Sequence, residues 1–218
     1  MHVLKIFRTL CSILMNYTPF LQKSVHEWVT STLTNRQGKL GGDKATVKHD
    51  FTVLDPKTIF GKGGALNEFS GAQMGVPTFM TKDLPPEVEA MKNTIKDADC
   101  VLIVSPEYNH VVPPALASLM GHFGGSCYAC KPSGIVTYSP GQFGGARAAL
   151  SIATMCHELG CLPVSKFCHL PSVSSILNVD GNSIDPMNRM LKQLPDLLDQ
   201  LEWNAVAMKN QREMYGTF

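Results

Sequence analysis

The sequence predicts an α/β protein built around a parallel β-sheet. Three observations carry this. Cys100-Val101-Leu102-Ile103-Val104 and Gly134-Ile135-Val136-Thr137-Tyr138 are short apolar runs without polar alternation, the mark of strands covered on both faces. Each run stops in a loop of Gly, Pro and polar residues that opens onto helix-like sequence, the arrangement of βα units. The two loops, Ser105-Pro106-Glu107-Tyr108-Asn109-His110 and Ser139-Pro140-Gly141-Gln142-Phe143-Gly144-Gly145, stand at strand carboxyl ends, where open parallel sheets bind ligands. On loop chemistry alone they read equally as ligand sites and as tight connections.

The elements follow in order. Val3-Leu4-Lys5-Ile6-Phe7 reads as the first strand. Residues 1–26 carry Lys5, Arg8 and Lys23 and no acidic residue, a composition also compatible with a mitochondrial presequence. Residues 24–33 read as the first helix, with Ser24 as N-cap, Glu27 at capping-box spacing, and Val25, Trp28, Val29 and Leu33 on one face. Residues 35–44 read as a loop and 46–54 as a second strand near a sheet edge, ended by Asp55-Pro56. Residues 56–84 read as a long irregular excursion or lid, with Leu66, Phe69, Met74, Phe79 and Met80 packing on the body or a neighbour. Gly61-Lys62-Gly63-Gly64 within it lacks the Gly-Lys-Ser/Thr ending of a P-loop.

A helix is predicted from Pro85-Pro86-Glu87 to about Lys96, with Val88, Met91 and Ile95 inward. Pro114 suits the first position of a short helix carrying Ala115, Leu116, Leu119 and Met120. Residues 144–159 read as a helix stopped by Gly160, and 162–171 as the last strand. Asp185-Pro186 is expected to start a long terminal helix with Met187, Met190, Leu191, Leu194, Leu197, Leu198 and Leu201 on its buried stripe and a kink at Pro195.

Composition narrows the class. The 218 residues read as one domain with enough chain for a sizeable core. Residues 1–20 form an atypical amino-terminal segment. Hydrophobic content of 44%, charge of 17% and a net charge of +1 give no field that recommends nucleic acid or a membrane surface as partner. No run reaches the roughly 18 apolar residues of a membrane span. The seven cysteines are odd in number and irregular in spacing, which argues for reduced thiols in a cytoplasmic protein rather than a secreted disulfide framework. Cys127-Tyr128-Ala129-Cys130 is a CxxC without a second ligand pair at clear metal spacing. His110, His122, His157 and His169 make no motif, so no metal ligand is assigned. A Gly-x-Ser-x-Gly elbow and a Rossmann Gly-x-Gly-x-x-Gly are both missing.

The sequence also carries a family resemblance. Ser105-Pro106-Glu107-Tyr108-Asn109, followed by Pro113 or Pro114, resembles the flavin-contacting loop of the NADPH-dependent FMN reductase family, the flavodoxin-like quinone, azo and chromate reductases. Tyr138-Ser139-Pro140-Gly141-Gln142-Phe143-Gly144-Gly145-Ala146-Arg147-Ala148 resembles that family's second flavin loop and the helix behind it. The likeness continues through Glu158-Leu159-Gly160-Cys161-Leu162-Pro163-Val164 and is good over about residues 85–170.

The resemblance implies a flavodoxin-like three-layer sandwich. Its five-stranded parallel sheet would have order 2-1-3-4-5, with helices on both faces. It implies FMN as cofactor and NADPH as reductant. A small-molecule electron acceptor such as a quinone would be reduced by a ping-pong mechanism, in a homodimer or homotetramer. It places the cofactor against Ser105, Pro106, Glu107, Tyr108, Asn109, Ser139, Gly141, Gln142, Gly144 and Gly145. No side chain is assigned as catalytic, because the flavin carries the chemistry.

Arg147 falls on the first turn of its helix, where the dipole disfavours a cation. That calls for an anionic partner, either Glu107 or a bound phosphate. The chain departs from the family in one place. The stretch Phe7-Arg8-Thr9-Leu10-Cys11-Ser12-Ile13-Leu14, where the family has its Gly-rich phosphate loop, holds no glycine. Arg8, Thr9, Ser12 and Lys23 are then the candidate phosphate donors. A flavodoxin-like protein that has lost flavin and serves as a structural or interaction subunit is the alternative reading.

Overall fold

The computed structural model describes residues 3–13, 19–36, 38–40, 45–70 and 77–217. Its centre is a six-stranded sheet. The strands are β1 (Val3–Ile13), β2 (Gly38–Leu40), β3 (Ala45–Leu54), β4 (Cys100–Pro106), β5 (Lys131–Tyr138) and β6 (Cys161–Leu170), in the order β2-β3-β1-β4-β5-β6. All pairs are parallel except β2 with β3, which is antiparallel at the edge. The helices are α1 (Pro19–Asn35), α2 (Pro56–Phe60), α3 (Ala65–Ser70), α4 (Pro86–Asp97), α5 (Pro114–His122), α6 (Gly125–Tyr128), α7 (Ala146–Leu159) and α8 (Gln193–Tyr215).

Side-chain alternation along β4 divides the core. Leu102 and Val104 join Val25 and Val29 of α1 and Leu197 and Leu201 of α8 in one apolar layer. Val101 and Ile103 join Ile95 of α4, Leu116 of α5 and Ile152 of α7 in the layer on the other face. Every residue of β4 and β5 is buried, as unalternated apolar runs require. Among the described residues no helix is long and apolar enough to cross a membrane.

Several expectations need correction. β1 runs through Ile13, with Thr9 level with Cys100 and Ile13 level with Val104. The glycine-free stretch is therefore mostly strand, and residues 14–18, which connect β1 to α1, lie outside the described residues. Ser24 is not an N-cap. It lies inside α1, and its hydroxyl donates to the Phe20 carbonyl at 3.0 Å, a local bond open to serine in any helix. Lys23 faces Asp180 at 3.5 Å from the same helix.

The expected loop 35–44 includes β2. The excursion 56–84 is less irregular than expected: Asp55 caps α2 by accepting from the Lys57 amide, and Gly61-Lys62-Gly63-Gly64 is the turn that leads to α3. Leu66 is buried there, whereas Phe79 and Met80 are exposed, and the side chains of Phe69 and Met74 lie outside the described residues.

The terminal helix starts at Gln193, not at Asp185. Asp185 instead closes a turn on the Met187 amide, and Met187 is exposed. Pro195 falls in the first turn of α8, where a missing N–H costs no helical hydrogen bond. The strand and helix limits at 100–106, 86–97, 146–159 and 161–170 lie close to those read from the sequence, and Gly160 closes α7 with φ 76°.

Candidate functional site

β4 and β5 are neighbours, with Ser105 level with Thr137 and Pro106 level with Tyr138. The two polar loops therefore leave the sheet side by side at its carboxyl edge. The first loop is a two-residue turn. Tyr108 and Val111 exchange both backbone hydrogen bonds, at 3.2 and 2.9 Å, and Asn109 and His110 between them have φ of 48° and 67°. Positive φ at both central positions is the type I′ pattern, uncommon for side chains other than glycine, though Asn and His adopt it more readily than most.

The second loop is anchored from below. The Thr137 hydroxyl donates to the Gly144 carbonyl at 2.9 Å and stands 2.8 Å from His169 Nδ1. Because the carbonyl can only accept, the network places the imidazole hydrogen on Nδ1, donating to Thr137. Burial lowers the His169 pKa below its ordinary value, against a raising influence from Glu107. From above, the Ser172 amide donates to the Gly141 carbonyl at 2.9 Å, and the Ser139 amide to the Leu170 carbonyl at 3.2 Å. Gly144 and Gly145 take φ of 59° and 79°. A Cβ on Gly145 would meet Thr137 Cβ at 2.7 Å, so both left-handed geometry and close packing call for glycine.

Glu107 links the loops. Its Oε2 accepts from the amides of Arg147 and Ala148 at 3.0 and 3.1 Å, which satisfies two orphan donors at the start of α7 and complements the helix dipole. Its Oε1 lies 3.6 Å from Arg147 Nη1. The expected Glu107–Arg147 partnership is present, in this loose form. The Arg147 guanidinium stands 4.3 Å from the Phe143 ring centroid.

Of the residues expected to contact flavin, Ser105, Pro106, Gly144 and Gly145 are buried, Glu107, Tyr108 and Ser139 are half-buried, and Asn109, Gly141 and Gln142 are exposed. The Ser105 hydroxyl is engaged with the Pro106 carbonyl at 2.9 Å. Phe143, Thr137, His169 and the exposed His110 join this region, and none of them is assigned a cofactor contact from sequence. Thr137 and His169 are 32 positions apart, so only the β5–β6 pairing reveals their bond. The αL turn at Asn109-His110 had a weak signal in the Asn. Arg8, Thr9 and Ser12 lie on β1, and their side chains lie outside the described residues.

An FMN group can be tested against this edge. A Cβ at Gly141 would meet nothing within 4 Å. No acceptor among the described residues takes the amides of Gln142 and Phe143. An open, glycine-lined loop with unspent backbone donors fits the polar edge of an isoalloxazine. Elsewhere, a cavity of about 810 Å³ is lined by Cys130, Gly160, Leu162, Met208, Arg212 and Tyr215 among others. Cys130 and Gly160 precede β5 and β6, so it opens at the opposite edge of the sheet from the loops. Among the described residues the cysteines are free thiols, and no cluster of His, Cys, Asp and Glu suited to a metal forms.

Residues 23–173 match the family model described as NADPH-dependent FMN reductase, and the chain belongs to that family. A probable NADPH:quinone oxidoreductase 1 of Oryza sativa subsp. japonica is 41% identical over 114 residues, 48% of this chain and 55% of the relative. A probable NADPH:quinone oxidoreductase 2 of the same plant is 30% identical over 136 residues, 58% of this chain and 64% of the relative. The match thus spans less than two thirds of either curated relative. Among solved structures, the flavoenzyme NAD(P)H:(acceptor) oxidoreductase FerB of Paracoccus denitrificans superposes with a TM-score of 0.61 at 16% identity, covering 90% of this chain and 97% of that one. At that identity the likeness is one of fold.

Proposed function

We propose that this chain is an FMN-dependent oxidoreductase that takes reducing equivalents from NADPH and passes them to a quinone-like or other small acceptor in a ping-pong sequence. The supporting observation is the pair of loops at the carboxyl ends of β4 and β5, braced by Glu107 across the start of α7. FMN, when bound, supplies hydride transfer between nicotinamide and acceptor. The chain's own part is to position and tune. Backbone groups of Pro106, Glu107, Tyr108 and Asn109 would border one side of the ring, and Ser139, Gly141, Gln142, Gly144 and Gly145 the other. Glu107 holds the α7 amides in place, and Thr137 and His169 hold the glycine loop. We read residues 1–218 as one flavodoxin-like unit with its five parallel strands in the order 2-1-3-4-5, acting as a homodimer or homotetramer in the cytoplasm.

The flavin-free alternative drew its support from the missing glycines. Residues 7–13 belong to β1, and residues 14–18 after them hold no glycine either, the first in the chain being Gly38. We favour the flavin-dependent reading because both loops expected to contact the ring are present. The test is a visible absorption spectrum of the purified protein with added FMN. A bound flavin that bleaches with NADPH and recovers with a quinone is the expected result. A protein that stays colourless with excess FMN would overturn the proposal.

A further inference from the structure

We infer that Arg147, backed by Phe143, is the residue that selects an anionic group on the substrate, an inference that rests on the function proposed above. The argument begins with what Arg147 lacks. A guanidinium carries five N–H donors in a rigid fork suited to carboxylate, sulfonate or phosphate. Among the described residues the Arg147 side chain makes no hydrogen bond, and its Nη1 is buried without a partner. Glu107 does not fill this need. Its Oε2 is committed to the amides of Arg147 and Ala148, and its Oε1, at 3.6 Å, is beyond hydrogen-bonding distance.

The setting is otherwise unfavourable for a cation. Arg147 is on the first turn of α7, at the positive end of the helix dipole. A purely structural ion pair there would be expected to close to a two-pronged geometry near 2.8 Å. Instead the guanidinium rests on Phe143, itself 54% exposed, and its own side chain is 41% exposed. The aromatic face pre-orients the fork at the cost of little entropy. Phe143 belongs to the second loop, next in sequence to the exposed Gln142, and Arg147 faces Glu107 of the first loop. A substrate lying across those loops would bring a negatively charged substituent within reach of the exposed side of the guanidinium, whose N–H groups make no hydrogen bond among the described residues. Such a group has two sources: a phosphate of the reducing dinucleotide, or an acidic substituent on the acceptor.

Calorimetric titration of the full chain and its Arg147→Gln variant separates them. The probes are adenosine 2′,5′-bisphosphate and anthraquinone-2-sulfonate, with adenosine and menadione as neutral controls. The expected result is a loss on the order of tenfold or more in the affinity of one anionic probe, the size of a lost charged hydrogen bond. Its neutral control should change less than about twofold, and Arg147→Lys should recover part of the loss. A loss confined to the bisphosphate identifies the dinucleotide as the source, and a loss confined to the sulfonate identifies the acceptor. Equal affinities of both probes for the two proteins overturn the inference, whether or not FMN binds. FMN and riboflavin titrations complete the set. Weaker FMN binding with riboflavin binding kept would place the cofactor's own phosphate at Arg147 and overturn the substrate assignment. Failure of the unmodified chain to bind FMN counts against the proposed function alone.

Discussion

Asn109 and His110 hold backbone conformations that few side chains adopt, and they do so at the tip of the first loop. Non-glycine residues at positive φ cost on the order of 1 kcal/mol, more for β-branched ones. His110→Gly should leave the stability unchanged or raise it by up to about 1 kcal/mol, and His110→Val should lower it by about 1–2 kcal/mol. Urea denaturation of the two variants would decide this. An equally stable valine variant would mean that the turn relaxes.

The glycines of the second loop separate in the same way. Gly145 has φ 79° and lies against Thr137, whereas Gly141 faces open space. Gly145→Ala is expected to lower the melting temperature even without cofactor. Gly141→Val is expected to keep the melting temperature and weaken FMN binding, read by flavin fluorescence titration. Equal effects on stability would overturn this division.

The start of α7 is the element on which both loops depend. It has no side-chain cap of its own, because Gly145 stands at the N-cap. Glu107, 40 positions earlier, supplies the carboxylate. Replacing a capping acid typically costs about 1–2 kcal/mol. Glu107→Ala should show a loss of that size in chemical denaturation, together with faster amide hydrogen exchange at Arg147 and Ala148. Unchanged exchange would mean that solvent or another group serves these amides as well. Thr137 has the corresponding role under the loop, joining β5 to Gly144 and His169.

At the scale of the molecule, α8 is tied to the sheet by charge as well as by its leucines. Glu202, fully buried on α8, accepts from Arg36 at the end of α1 and stands 2.8 Å from His49 Nε2 on β3. Nearer the carboxyl end of the helix, Lys209 and Arg212 both reach Asp99 at the foot of β4, at 2.9 and 3.1 Å. Burial alone would raise the Glu202 pKa, but the hydrogen bonds from His49 and Arg36 outweigh it and leave the carboxyl below its ordinary value.

A depressed carboxylate contributes stability that is present above the unfolded-state pKa of about 4.3 and is lost as pH falls through the folded value. Glu202→Gln should therefore destabilise the protein at pH 7, by about 3 kcal/mol for a broken buried pair. The gap to the unmodified protein should narrow below about pH 4. Thermal unfolding across pH 3–7 measures this. A gap that stays constant with pH would show that packing and not ionisation sets the loss.

Sequence alone determined what depends on neighbours along the chain. Unbroken apolar runs marked β4 and β5 as buried strands, glycine marked the end of α7, and the Gly-rich and Pro-rich segments marked both loops, because each signal is a local steric or solvation preference. Those same loops carried the family likeness. Tertiary structure alone decided how far β1 extends, because a strand's length is set by the partners it finds in β3 and β4. It moved Ser24 inside α1 and Pro195 into the first turn of α8, because helix ends settle where side chains and solvent can satisfy the backbone. It also decided the spare valence of Arg147. Whether a charge is consumed or left available depends on distances between residues far apart in sequence, and only the closed fold sets those distances.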